Sequence, residues 1–389
     1  MIVDLPGTTT AVINRKLVDL REGGGTIALG RVLTLVIVTG EQDAEEAIDA
    51  ANSASHEHPC RVIVVVQGTQ RGIDRLDAQI RVGGDAGASE VLVLRLYGQL
   101  SLHGDSVVMP LLLPDSPVVA WWPGEPPAVP AKHPIGKMAQ RRITDAARAR
   151  QPRRELTRLA KVYLPGDSDL AWTRLTTWRG LLAATLDQPP YEKVDHVTVT
   201  GASDSPSTDL LAGWLAESLR CPVLRTRTTA GTGMSSVRME RKSGSIDLVR
   251  ADSPVATLIQ PGQPERRIGL HRRGIAECLA EELRRLDTDA VYEAALTRGL
   301  TALAHTRSKT ASAAIAEGEA PSLAQAARRT ERADRAAGRT SRAVQQATPA
   351  PKNAAKRVAK NAAKKVAKKV AKKGAKKPAS KSATRARAR

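Results

Sequence analysis

Apolar positions change rhythm several times in the first hundred residues, and each change marks an element. Val12, Ile13, Leu17 and Leu20 recur at near-helical spacing between Thr10 and Arg21, which predicts a first helix. REGGGTIALG breaks it. RVLTLVIVTG (31–40) then runs almost unbroken in apolar residues, the pattern of a strand buried on both faces. EQDAEEAIDAANSASHEH (41–58) is alanine-rich with acids in its first turn, where the helix dipole favours them, and predicts a helix. RVIVVVQG (61–68) repeats the buried-strand pattern. Strand, helix and strand in this order predict a βαβ unit, a parallel pair joined by a right-handed crossover.

Further along, DAQIRVGGDAGASEVLVLRLYG (77–98) reads as two strands around a Gly-rich turn. Ser106 to Leu113 predicts a short helix closed by Pro114, and SPVVAWWPG (116–124) another strand. A Pro-rich loop, a short helix and RRITDAARA follow, and QPRRELTRLA (151–160) begins a connecting helix. The second half opens on a helix with Asp167 or Ser168 as its N-cap and Leu175, Trp178 and Leu182 on one face. KVDHVTVTG reads as a strand, SPSTDLLAGWLAESLR as a capped helix and CPVLRTRTT as the next strand. Alternating runs between 234 and 271, separated by Gly, Pro and Ser, predict an antiparallel meander. Two helices close this part. The fold class expected is α/β, with two α/β domains (1–150 and 151–300), the first holding the βαβ unit and the second the meander.

Composition changes this picture in two ways. The chain has no Phe and only nine aromatics, so its cores must be aliphatic, with five Trp as the bulky exceptions. Its +20 net charge is also confined to one end. Residues 1–300 hold 36 Lys+Arg against 36 Asp+Glu, whereas 301–389 hold 24 against 4. Residues 301–351, rich in Ala and Arg, have too few large apolar residues to offset the entropy of ordering, which predicts a linker. The sixteen cations of 352–389, with no acid among them, predict a disordered Lys-rich tail. Lys364, Lys365, Lys368, Lys369, Lys372, Lys373, Lys376 and Lys377 are its paired cations, suited to non-specific DNA or RNA through counterion release. The absence of tail aromatics removes base stacking. The tail resembles the lysine- and alanine-rich tails of linker histones and HU-like proteins.

Candidate chemistry in the first 300 residues is thin. The Gly clusters at 23–30, 80–93 and 231–233 match neither a P-loop nor a dinucleotide fingerprint and read as turns needing positive φ. His56, His58 and Cys60 have metal-ligand chemistry, but no second Cys/His cluster completes a tetrahedral site. Neither a GxSxG nor a CxxC is present, and the three cysteines are scattered, as in a reducing cytoplasm. No secretory leader and no membrane-length apolar run is legible. Trp121 and Trp122 are adjacent in a predicted strand and must point to opposite faces, one to the core, the other to a second layer or a partner. These residues offer no recognisable nucleophilic, cofactor or metal motif, so no cofactor and no metal are expected, and no membrane span.

Several long blocks carry a family resemblance. MIVDLPGTTTAVINRKLVDLREGGGTIALGRVLTLVIVTG, ASHEHPCRVIVVV, LDAQIRVGGDAGASEVLVLRLYG, LLLPDSPVVAWWPGEPP, PIGKMAQRRITDA, DLAWTRLTTWRGLLAATLDQPP and CLAEELRRLD occur in order through the first 300 residues. Together they resemble the actinobacterial OpcA family of glucose-6-phosphate dehydrogenase assembly proteins. That resemblance implies a cytoplasmic, non-catalytic accessory protein that binds glucose-6-phosphate dehydrogenase and promotes its active oligomer in the oxidative pentose phosphate pathway. Trp121, Trp122, His133, Arg141, Arg142, Trp172 and Arg174, large or charged residues inside the matching blocks, are the candidate partner interface. The tail falls outside the family pattern.

Overall fold

The computed structural model describes residues 1–23, 31–83, 90–231, 233–251 and 254–303, all within one compact unit of the chain. The predicted linker beyond its first three residues, the Lys-rich tail and most of two Gly-rich turns lie outside the described residues.

The first sheet has eight strands: β1 (Ile2–Leu5), β2 (Leu33–Thr39), β3 (Cys60–Gln67), β4 (Arg75–Arg81), β5 (Glu90–Tyr97), β6 (Val118–Trp121), β7 (Arg141–Thr144) and β8 (Asp167–Asp169), in the order β1-β4-β5-β3-β2-β6-β7-β8. From β5 to β8 every neighbouring pair is parallel, while β4 and β1 add an antiparallel edge. Taken in chain order, the six parallel strands sit as 3-2-1-4-5-6, the doubly wound arrangement whose order reverses between β2 and β6.

Helix α1 (Thr10–Gly23) ends in Arg21 near its carboxyl terminus, and α2 (Glu41–Ser55) stops at His56, where the dipole favours a basic group. The expected βαβ unit is β2-α2-β3, paired in parallel from Leu33 with Cys60 to Thr39 with Val66. Alternation sends Leu35, Ile37, Val62 and Val64 to one face under α2. Val36, Val38, Ile63 and Val65 go to the other, under α1 and the short α3 (Gly104–Val108) and α4 (Pro134–Met138). Trp121 and Trp122 follow the same alternation, Trp121 packing in the first cluster and Trp122 in the second.

The second sheet has six strands: β9 (His196–Ala202), β10 (Val223–Thr228), β11 (Met234–Glu240), β12 (Ile246–Val249), β13 (Val255–Ile259) and β14 (Arg266–Gly269), ordered β10-β9-β11-β12-β13-β14. From β11 to β14 it is the expected antiparallel meander. Its core is shared with α5 (Pro152–Val162), α6 (Leu170–Thr173), α7 (Thr176–Leu186) and α8 (Pro206–Leu219). The closing helices then part company. α9 (Ile275–Arg284) returns to the first sheet, laying Cys278, Leu279 and Leu283 beside Ala44, Ala47 and Ile48, whereas α10 (Ala290–Ala294) packs Tyr292 into the second core.

Three local readings change. Residues 2–5 form an edge strand, with Ile2 opposite Arg81. RRIT is a parallel strand although it opens with two arginines. Asp167 and Ser168 belong to β8, so the N-cap of the next helix is Asp169, which accepts from the Ala171 N–H at 2.8 Å.

Candidate functional site

In doubly wound sheets ligands bind beyond the carboxyl ends of the parallel strands, above all at the switch point. Here that point lies where β2 gives way to α2 through Gly40. A helix amino terminus in this place suits an anion. Instead it carries the chain's own carboxylates, Glu41 and Asp43, in its first turn. Arg95 donates to Glu41 from Nε at 3.0 Å and from its terminal nitrogen at 2.9 Å. Arg148 spans Asp43 at 3.4 Å and Glu46 at 2.6 and 2.7 Å. The bond from Arg148 holds the Glu46 carboxyl below its usual range against slight desolvation. Two carboxylates therefore stand where a dinucleotide fold places a glycine-rich phosphate loop.

A second polar cluster occupies the carboxyl ends of β7 and β8. Asp145 and Asp169, both 0% exposed, lie at those ends, Asp145 just after β7 and Asp169 as the last residue of β8. Asp145 receives a bidentate pair from Arg174 at 2.7 and 2.6 Å. Asp169 accepts from Thr144 at 2.6 Å and from the Ala146 N–H at 3.0 Å. Burial, with the Asp145 charge beside it, pushes the Asp169 carboxyl up to about 6. Close by in the fold, Glu282 of α9 accepts from Arg141 at 2.8 and 2.6 Å and from Ser168 of β8 at 2.6 Å, and Thr173 of α6 donates to its second oxygen. Trp172 donates its indole N–H to Asp289 at 2.8 Å and carries the Arg179 guanidinium over its ring, 3.8 Å from the centroid.

The structure thus brings Arg141 and Trp172 to one cavity, while Arg174, at the carboxyl cap of α6, lines another. One, of about 600 Å³, is walled by Arg141, Trp172, Arg179 and Asp289. The other, of about 360 Å³, holds Arg174 and Trp178. Trp122 and His133 form a separate pair, edge to face at 5.5 Å, and burial lowers the His133 pKa although Asp105 opposes it. Arg142 stands apart from both, bonded to Asp167 at 2.5 Å and to the Ala139 carbonyl at 2.9 Å. Trp121, Trp122, Arg141, Arg142 and Trp172 are all buried, while His133 and Arg174 keep partial exposure. The eight tail lysines lie outside the described residues.

Sequence reasoning passed over Glu282, Asp289, Asp145 and Asp169. Glu282 had a usable signal, since it interrupts the apolar stripe Cys278, Leu279, Leu283 of α9 and so had to be buried with a partner. Among the described residues no group of three His, Cys, Asp or Glu is placed to hold a metal ion, and no helix is long and apolar enough to cross a membrane.

Two family models match the chain, and both describe a glucose-6-phosphate dehydrogenase subunit. Residues 51–161 match the model of its N-terminal domain (OpcA_G6PD_assem), and residues 165–296 the model of its C-terminal domain (OpcA_G6PD_C). No curated protein matches the chain. Among solved structures, an oxidoreductase from Sinorhizobium meliloti is 11% identical, over 71% of this chain and 98% of that one, with a TM-score of 0.41. The glucose-6-phosphate 1-dehydrogenase of Mycobacterium avium is 12% identical over 72% and 92%, at 0.36. A biliverdin reductase from Synechocystis sp. PCC 6803 is 10% identical over 70% and 98%, at 0.35.

Proposed function

Since the chain belongs to the OpcA family of glucose-6-phosphate dehydrogenase assembly proteins, we propose that it is a non-catalytic accessory protein. It binds glucose-6-phosphate dehydrogenase in the cytoplasm, promotes assembly of the active oligomer and so raises flux into the oxidative pentose phosphate pathway. The observation that carries this reading is the match of both family domains, in order, across the two sheets. The switch point supports the non-catalytic part: the α2 amino terminus presents Glu41 and Asp43, each paired with an arginine, to any incoming pyrophosphate. These ion pairs occupy the amino end that a pyrophosphate would need. Of the seven residues singled out from the sequence, His133 and Arg174 retain solvent access for a partner, and the buried five support the surface from beneath.

The test is direct. Glucose-6-phosphate dehydrogenase is assayed at limiting glucose 6-phosphate with and without the purified chain, and the mixture is sized by sedimentation velocity. A higher rate together with a larger complex is expected. An unchanged rate and two independent sedimenting species would reject the reading.

A further inference from the structure

Helix α5 forms a ridge with a groove on each flank. Leu156 and Leu159 turn into the second core. With about 100° between successive residues, Arg154, Thr157, Arg158 and Lys161 fall on the opposite face, and Arg150 just before the helix continues the stripe. These side chains wall a groove of about 760 Å³ that Glu125 of the Pro-rich loop also lines.

The charges along this groove are unequally matched. Arg158 donates to Glu155 at 3.0 Å and to the Pro127 and Ala128 carbonyls, so it pins the loop against the helix. Glu125 accepts from the Arg150 main-chain N–H at 2.5 Å. The Arg154 guanidinium donates to the neutral Gln151 at 3.3 Å. Among the described residues no carboxylate pairs with the side chains of Arg150, Arg154 or Lys161, and all three are exposed. Other surface arginines behave differently: Arg148, Arg284 and Arg298 each pair with a glutamate.

On its other flank α5 walls a groove of about 310 Å³, with Leu156, Ala160, Leu296 and Leu300 in its lining. Arg153 and Asp209 in that lining already bond each other at 2.6 Å. The two flanks together select the occupant. Unmatched cations draw carboxylates or phosphates alike. The apolar flank offers nothing to a phosphate backbone, and Glu125 and Glu155 beside the stripe repel one. A protein segment supplies acids and apolar side chains together, which is the usual composition of an interface with an apolar centre and a polar rim. Complementary charge across such a surface speeds encounter and sets register.

We propose that α5 is the ridge on which the chain docks an acidic segment of glucose-6-phosphate dehydrogenase, with carboxylates of that segment over Arg150, Arg154 and Lys161. This rests on the accessory role proposed above and adds a surface to His133 and Arg174.

Two measurements on the full-length chain mixed with the dehydrogenase test it. A carbodiimide joins a carboxyl to a lysine amine only where the two touch, and mass spectrometry is expected to find Lys161 linked to an Asp or Glu of the dehydrogenase. The double variant Arg150→Glu with Arg154→Glu, with an unchanged circular dichroism spectrum, is expected to bind the dehydrogenase about tenfold more weakly, mainly through slower association. Arg71→Glu, an exposed cation between β3 and β4, keeps wild-type affinity. Wild-type affinity of the double variant overturns the docking surface and leaves the accessory role standing. A double variant that keeps the dehydrogenase but loses duplex DNA overturns it in favour of a nucleic acid. No complex between the wild-type chain and the dehydrogenase rejects the accessory role itself, and the docking surface with it.

Discussion

Arg141 in β7 and Glu282 in α9, 141 residues apart in sequence, meet at 2.6 Å with both side chains 5% exposed. The pair ties the first sheet to a helix that arrives only after the second sheet has been completed. Ser168 and the Asp287 carbonyl take up further bonding positions of the two groups.

Arg141→Met leaves the Glu282 carboxylate buried without its cation, and a loss of about 3–5 kcal/mol is expected. The double variant Arg141→Met with Glu282→Leu recovers most of that loss, since both charges are then gone. Urea unfolding of the two single variants and the double variant gives the coupling directly.

Asp169 gives the protein a specific pH dependence. Its folded-state pKa is raised, to about 6, so the folded protein binds this proton more tightly than the unfolded chain does. The stabilisation is therefore complete below about pH 4 and is lost as the pH rises through 6, amounting to roughly 2–3 kcal/mol. The difference in unfolding free energy between wild type and Asp169→Asn, followed from pH 4 to pH 7, isolates this contribution. A flat difference would refute it.

Gly213 of α8 and Gly299 of the turn after α10 bring two backbones into contact. A Cβ on Gly299 would sit 2.3 Å from the Gly213 carbonyl oxygen, and one on Gly213 would sit 2.8 Å from that of Ala295. Backbone cannot yield as a side chain can. Either Gly→Ala change is expected to cost about 1–3 kcal/mol through overpacking, read as a lowered melting temperature, whereas Gly180→Ala, with open space around it, stabilises or is neutral.

The Lys-rich segment gives a prediction from charge alone. Full-length chain is retained on DNA-cellulose at low salt and released over a narrow salt range, and deletion of 352–389 abolishes retention. Activation of the dehydrogenase is expected to survive the deletion, because the family match ends at residue 296.

Much of the architecture was legible in the chain. The unbroken apolar runs at 33–39 and 60–67 could only be strands buried on both faces, and the period-two stretches after 234 could only be a meander. Alternation also fixed that Trp121 and Trp122 would part, and tertiary packing decided that both would be covered. β7 was hidden because its two arginines read as solvated charge; their carboxylates come from residues 282 and 167, which nothing local announces.

The candidate site was less legible for the same reason. Composition, charge segregation, the βαβ unit and the absence of a phosphate-loop motif follow from residue order, because each depends on spacing within a few turns of chain. The 3-2-1-4-5-6 strand order, the return of α9 to the first sheet and the cluster of arginines at the α8 amino terminus depend on contacts between residues far apart in sequence. A buried charge is tolerable only where its partner arrives, and only the folded chain decides where that is.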